Sequence, residues 1–244
     1  MTEAIIFDKD GTLFDFGRTW GGWAERLLDE LAGDNADLRA RAAKAIRYDR
    51  MTGFHPSSIV IAGTSGEVGA TLAAATGREA AEIERLANDV GAVTPQSEVP
   101  GLAETLAALS ERHTLGVVTN DGETPARAHL DSVGVSRFFA FIAGYDSGHG
   151  AKPAPGPLLA FSKATETSPD RTLMVGDSRH DLAAGRAAGM TTVGVLTGIA
   201  EAPALSDLAD VILPDITHLT GWIVSRGCGR LRPATFFVGF FFDM

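Results

Sequence analysis

Short apolar runs, each closed by small or polar residues, recur along the chain with stretches of helical spacing between them. The runs are Ala4–Phe7, Thr114–Val118, Phe138–Ala143, Leu173–Val175, Thr192–Leu196 and Val211–Leu213. They are brief, rich in β-branched or aromatic residues and bounded by turn formers, so they predict strands rather than helices. Leu102–Arg112, Thr124–Val133, Ala154–Thr165 and Asp181–Ala188 carry the three-to-four spacing that predicts helices. Pro100 and Gly101 open the first of these, and Pro125 falls in a first turn, where the missing amide is tolerated. Strand alternating with helix predicts an α/β fold: a doubly wound parallel sheet covered on both faces. In such sheets ligands sit beyond the carboxyl ends of the strands.

The alternation breaks between Asp15 and Gly91, where Ala, Leu, Arg and Glu dominate. Trp23–Leu31, Leu38–Ile46, Glu67–Ala75 and Glu79–Val90 each gather their apolar residues on one helical face. The expected organisation is therefore a discontinuous core, residues 1–14 and 92–224, with a small helical domain, 15–91, inserted between its first two strands. Residues 225–244 form a separate tail with the phenylalanine-rich run Phe236–Phe242, for which an added edge strand or a disordered end is the plain expectation.

Composition narrows the class. Of 244 residues, 45% are hydrophobic and 21% charged, the balance of a soluble globular protein that can build its own core. The lone cysteine, Cys228, has no internal partner, and no Cys/His cluster has zinc spacing. A net charge of −10 without a basic run argues against nucleic acid or an anionic membrane as partner. No stretch has the length of a membrane span, and no basic segment precedes Ala4–Phe7, so no secretion signal is expected and the location expected is cytoplasmic.

The ends of the predicted strands carry the chemistry. The first ends in Asp8-Lys9-Asp10-Gly11-Thr12-Leu13 and the second in Thr119-Asn120; Ala151-Lys152-Pro153 follows, then Gly176-Asp177-Ser178-Arg179-His180-Asp181. Four carboxylates, a lysine and a hydroxyl converge on one sheet edge. Two unit charges about 4 Å apart repel by roughly 4 kcal/mol at an effective dielectric near 20, so such a cluster is tolerable when it holds a cation. Hard oxygen donors without histidine or thiolate nominate Mg²⁺. Taken singly, Asp10-Gly11 and Asn120-Asp121-Gly122 read as turns, Asp177 or Ser178 as a helix N-cap, and Lys152 as a solvated loop residue. Their occurrence together, in order at successive strand ends, carries the functional reading.

These four segments resemble the signature motifs of the haloacid dehalogenase superfamily, in its phosphoglycolate-phosphatase-like branch, and the resemblance runs from residue 4 to about residue 220. It implies a helical cap at the insertion and a Mg²⁺-dependent phosphatase acting on a small phosphorylated metabolite through an aspartyl phosphate. Asp8 is then the nucleophile, Asp10 the acid/base, Thr119 a donor to phosphate and Lys152 its positive partner. Asp177 would complete the Mg²⁺ shell with the Asp8 side chain and the Asp10 carbonyl, and Asp181 would lie just behind it. An aspartate at the second position favours phosphatase over dehalogenase.

Candidate substrate contacts are Gly11 and Asn120 in the core and Arg47 and Arg50 in the cap, with His55 nearby. Gly63-Thr64-Ser65-Gly66 suits an anion but more simply an N-cap turn; Trp20 and Trp23 are expected to pack between cap helices, and His180 to be exposed. Lys9, where the branch usually has an apolar residue, is expected to face solvent. The rival readings are a phosphomutase, a signalling receiver domain and a non-catalytic binding relative. A receiver places its acidic pair before the phosphorylated aspartate, the reverse of the order here.

Overall fold

A computed structural model describes residues 2–227; the phenylalanine-rich stretch and Cys228, whose structure the sequence reading left open, lie outside the described residues. The core is a six-stranded, wholly parallel sheet in the order β5-β4-β1-β6-β7-β8, built from β1 (Ala4–Phe7), β4 (Thr114–Val118), β5 (Phe139–Ala143), β6 (Thr172–Gly176), β7 (Thr191–Val195) and β8 (Val211–Leu213). All six sequence-predicted strands are present, with ends moved by a residue or so.

Strand β1 sits at the centre because it is apolar on both faces and fully buried. Ile5 and Phe7 point to one side, packing with Leu102, Leu106 and Leu109 of α5 (Leu102–Ser110) and Leu130 of α6 (Glu123–Ser132). Ala4 and Ile6 point to the other, against Leu158 and Phe161 of α7 (Gly156–Thr165) and Ala184 of α8 (Arg179–Ala187). This two-faced burial is what a doubly wound sheet requires. Two short helices, α9 (Ala202–Leu205) and α10 (Leu219–Gly227), complete the core. The chain runs outward from β1 to β4 and β5, then returns past β1 to β6, so β1 marks the point where the strand order reverses.

Between β1 and α5 lie α1 (Phe16–Ala32), α2 (Ala36–Ala45), α3 (Ser65–Thr76) and α4 (Ala80–Ala92). Asp15 caps α1 by accepting from the Arg18 amide at 2.9 Å, and Thr64 and Glu67 form a reciprocal capping box on α3. These helices have an apolar cluster of their own, including Trp23, Leu27, Leu28, Leu72 and Ile83, and the Trp23 indole donates to the Ala87 carbonyl at 2.9 Å. One element escapes the sequence pattern: a hairpin of β2 (Tyr48–Asp49) and β3 (Gly53–Phe54). Two-residue strands are too short to show a period, and the turn is made locally, by the Asp49 carboxylate accepting from the Met51 and Thr52 amides at 2.8 and 3.0 Å.

Among the described residues no helix is long and apolar enough to cross a membrane.

Candidate active site

The site is assembled where β1, β4 and β6 end, at the reversal of strand order. Asp8 follows β1, Thr119 follows β4 and Asp177 follows β6, while Lys152 comes from the loop before α7 and Asp181 from the first turn of α8. All five are buried. The Lys152 ammonium donates to Asp8 Oδ1 at 2.6 Å and to Asp181 Oδ1 at 2.5 Å. One ligand oxygen from each of Asp8, Asp177 and Asp181 lies within 4.8 Å of the others.

Electrostatics shows what this cluster lacks. Burial pushes the Asp8 carboxyl from 3.8 up to about 7; Lys152 works against that rise, and Asp181 and Asp10 add to it. Burial, then Asp181 and Asp8, hold Asp177 well above the usual carboxylate range. Burial alone would lower Lys152, but Asp181 and Asp8 outweigh it and the group stays charged. Three buried carboxylates thus share one ammonium, an imbalance that a bound dication corrects. The donors are all carboxylate oxygens, so the residues fit Mg²⁺. The Asp10 carboxylate is not among them.

Packing around Asp177 is tight enough to fix its direction. A Cβ on Gly11, whose φ is +80°, would stand 2.4 Å from Asp177 Oδ2, and one on Gly198 would stand 1.7 Å from the same atom. The Thr197 hydroxyl donates to the Gly11 carbonyl at 2.6 Å and holds the two loops together. Gly11 belongs to the Asp8–Leu13 segment at the end of the first strand, whereas no motif spacing signals Thr197 and Gly198.

Thr119 Oγ1 accepts from the Asp121 amide at 3.0 Å, which leaves its own proton free to donate into the cleft. Asn120, expected to touch substrate, lines the cleft with its amide already engaged: it donates to the Ala62 and Lys152 carbonyls at 2.7 and 2.8 Å and accepts from the Lys152 amide at 2.9 Å. It braces the lysine loop and reaches the cap. Ser178 is the N-cap of α8, in a capping box with Asp181 that orients this carboxylate.

The inserted unit closes the cleft with Phe16, Trp20, Trp23, Val60, Ile61 and Val68, with Gly63 of the loop before α3 and with Ser65 of its first turn. Arg47 and Arg50, expected to read the substrate, do not line the cleft. Both are exposed at the β2–β3 hairpin; Arg47 donates to the Ser57 hydroxyl, and Arg50 lies 3.6 Å from Glu25. The hairpin turns them away, and its two short strands left no trace in the pattern. His180, expected to be exposed, is half-buried on the cleft wall. Trp20, expected to pack between cap helices, instead lines the cleft, lying 6.3 Å from the ring of Phe16 on its own helix and donating its indole proton to Asp10 Oδ1 at 2.8 Å.

Lys9 reverses its expectation entirely. Its side chain is fully buried, and its ammonium lies 2.9 Å from Asp10 Oδ2, 3.1 Å from Asp10 Oδ1, 3.0 Å from Asp121 Oδ2 and 2.8 Å from His129 Nδ1. The last two partners stand more than a hundred positions away, so nothing local in the sequence announces them.

A parallel sheet with an acidic cleft at its switch point and a helical unit inserted after β1 defines a doubly wound α/β protein whose candidate site is roofed by that unit. Residues 5–195 match the family of haloacid dehalogenase-like hydrolases, and the chain belongs to that family. It is 33% identical over 229 residues to a phosphoglycolate phosphatase of Rhodospirillum rubrum, covering 91% of each chain. A predicted phosphoglycolate phosphatase from Haemophilus somnus superposes with a TM-score of 0.71 at 20% identity, over 91% of this chain and 98% of that one. A β-phosphoglucomutase from Clostridium difficile shares the fold with a TM-score of 0.63 at 19% identity, over 93% and 96%.

Proposed function

We propose that this chain is a Mg²⁺-dependent phosphatase that hydrolyses a small phosphorylated metabolite, of phosphoglycolate or sugar phosphate type, through a phosphorylated Asp8. The observation that carries the reading is the buried cluster of Asp8, Asp177 and Asp181 around a single Lys152, with the Thr119 hydroxyl beside it. The cleft's modest size and its apolar cap wall suit a compact leaving group. The similarity to a phosphoglycolate phosphatase along nearly the whole chain supports the same substrate class.

The chain's own residues account for each step. An Asp8 carboxylate oxygen attacks phosphorus as the P–O bond to the leaving group breaks, and Asp10 delivers a proton to the departing oxygen. Asp10, now a carboxylate, takes a proton from water, which attacks the aspartyl phosphate and releases inorganic phosphate with Asp8 restored. Splitting the displacement in two in this way, and supplying a positioned acid/base, are standard sources of rate, the second worth about 10²–10⁴-fold. Lys152 and the Thr119 hydroxyl stabilise the phosphoryl oxygens during transfer. Held by Asp8, Asp177 and the Asp10 carbonyl with Asp181 behind, Mg²⁺ would supply charge to offset that of the phosphoryl group. The apolar cap excludes bulk water while the bond breaks.

Phosphate release from a panel of phosphorylated metabolites, with Mg²⁺ and with chelator, tests the proposal. Asp8→Asn is expected to lower turnover by at least about 10³-fold, as loss of a covalent nucleophile does. Near-normal release by that variant would refute the mechanism. A phosphomutase would draw on the same core residues, and isomerised sugar phosphate without free phosphate in this assay would mark one.

A further inference from the structure

The buried network around Lys9 has no part in the scheme above, although it touches one of its central groups. Four atoms surround the ammonium: both oxygens of Asp10, one of Asp121 and Nδ1 of His129. The histidine's state follows from geometry alone. Its Nε2 stands 2.7 Å from the Gly91 carbonyl, which can only accept, so Nε2 carries the proton and Nδ1 is the acceptor that Lys9 donates to. His129 is therefore a neutral backstop for the ammonium, anchored to the end of cap helix α4. Asp121 is held in its own turn, its Oδ1 accepting from the Gly122 amide at 2.8 Å.

We propose that Lys9 is a positioning residue for catalysis: its ammonium grips both oxygens of Asp10 and sets that carboxyl group toward the leaving oxygen of the substrate. With Lys9 on both oxygens and the Trp20 indole on Oδ1, the carboxylate cannot swing about its Cβ–Cγ bond, yet it keeps 12% side-chain exposure at the cleft. A proton delivered from a group held in this way needs no search for alignment. Stability is a poor rival explanation, because an interior ion pair is often no more stabilising than well-packed apolar residues of the same volume. The sequence position makes the point sharper: a lysine next to Asp10 reaches back to grip it only because Asp121 and His129, from a different strand end and helix, receive its charge.

The proposal rests on Asp10 as acid/base, and the test separates the two. Alkyl esters such as phosphoglycolate leave as a poor alkoxide and need the proton; p-nitrophenyl phosphate leaves as a stabilised phenolate and does not. The ratio of kcat/KM for the two esters is read, because it ends at departure of the leaving group and excludes the later hydrolysis. Lys9→Met is expected to lower kcat/KM for phosphoglycolate by about 10–100-fold, a part of the full acid/base factor, and for p-nitrophenyl phosphate by less than about three-fold. Asp10→Asn, run beside it, should show the same selectivity more strongly. Equal losses on both esters in Lys9→Met, or no loss, would overturn the role of Lys9 while a selective Asp10→Asn left the acid/base reading standing. An unselective Asp10→Asn would remove that reading and the proposal together. If Lys9→Met does not fold by circular dichroism, His129→Leu, which keeps the ammonium and both carboxylates, decides by the same ratio: a selective loss of about three-fold or more supports the proposal and an unchanged ratio overturns it.

Discussion

Removing Mg²⁺ should make the stability of this protein fall as pH rises through the neutral range. In the unfolded chain Asp8 ionises near 3.8, whereas in the metal-free fold burial raises it to about 7, so the unfolded state gives up this proton first. The stability that Asp8 contributes is therefore complete below about pH 4 and lost as pH climbs to about 7. At about 1.4 kcal/mol per unit the shift is worth about 4 kcal/mol, of which about 2 kcal/mol falls between pH 5 and 7. Asp177 is raised in the same sense and steepens the loss. A cation among the three carboxylates favours their charged forms and cancels it. Urea unfolding followed by tryptophan fluorescence, at pH 5 and 7, in chelator and in saturating Mg²⁺, reads the effect. Titrations elsewhere in the protein are common to both media, so the stabilisation conferred by Mg²⁺ should grow by about 2 kcal/mol between the two pH values. Asp177→Asn should be more stable than wild type in chelator at pH 7 and gain little from Mg²⁺. A stabilisation by Mg²⁺ that is zero, or equal at both pH values, would refute the reasoning.

Three further substitutions probe separate links. Gly11→Ala places a methyl 2.4 Å from Asp177 Oδ2 on a backbone at φ +80°; a cost of about 1–3 kcal/mol in denaturation and a weakened Mg²⁺ response in turnover are expected. Gly116→Ala puts its methyl 2.5 Å from the Phe161 ring, far from the cleft, and should cost about 1–3 kcal/mol by overpacking while kcat/KM of the folded protein is unchanged. Arg50→Ala removes only an exposed ion pair with Glu25, so stability should move by no more than about 1 kcal/mol and turnover should stay at the wild-type value.

The parts of the fold that could be read from sequence are those whose signal is local. Parallel strands covered on both faces must be apolar throughout, and Ala4–Phe7 and Leu173–Val175 announce themselves in this way. Asp8, Thr119 and Asp177 could be nominated because a doubly wound sheet brings its strand ends to one edge, whereas Lys152, in the loop before α7, was nominated by its motif. What stayed hidden depends on contacts between distant segments. Lys9 looks like a solvated residue until Asp121 and His129 are folded against it, and Asn120 looks like a ligand contact until Ala62 and Lys152 claim its amide. Arg47 and Arg50 are near Gly53 in sequence, but a hairpin with two-residue strands decides where they face.

Asp8 and Asp10 stand two residues apart, a spacing that in a continuing strand would give them similar surroundings, yet the proposed nucleophile and the proposed acid need different ones. The strand has already ended at Phe7, and the bend at Lys9 between them turns the two side chains to different partners. Among the described residues, Asp8 is left among acidic neighbours with Lys152 as its only direct cationic partner, and Asp10 is handed to Lys9 and Trp20. Each lysine also takes a second carboxylate, Asp181 for Lys152 and Asp121 for Lys9. Among the described residues, Asp177 alone of the five carboxylates has no direct lysine contact, and the Thr12 hydroxyl, 3.5 Å away, is its only side-chain donor. The carboxylate that no lysine contacts directly is thus well suited to the proposed metal, and the division of the lysines between two pairs leaves a cation room there.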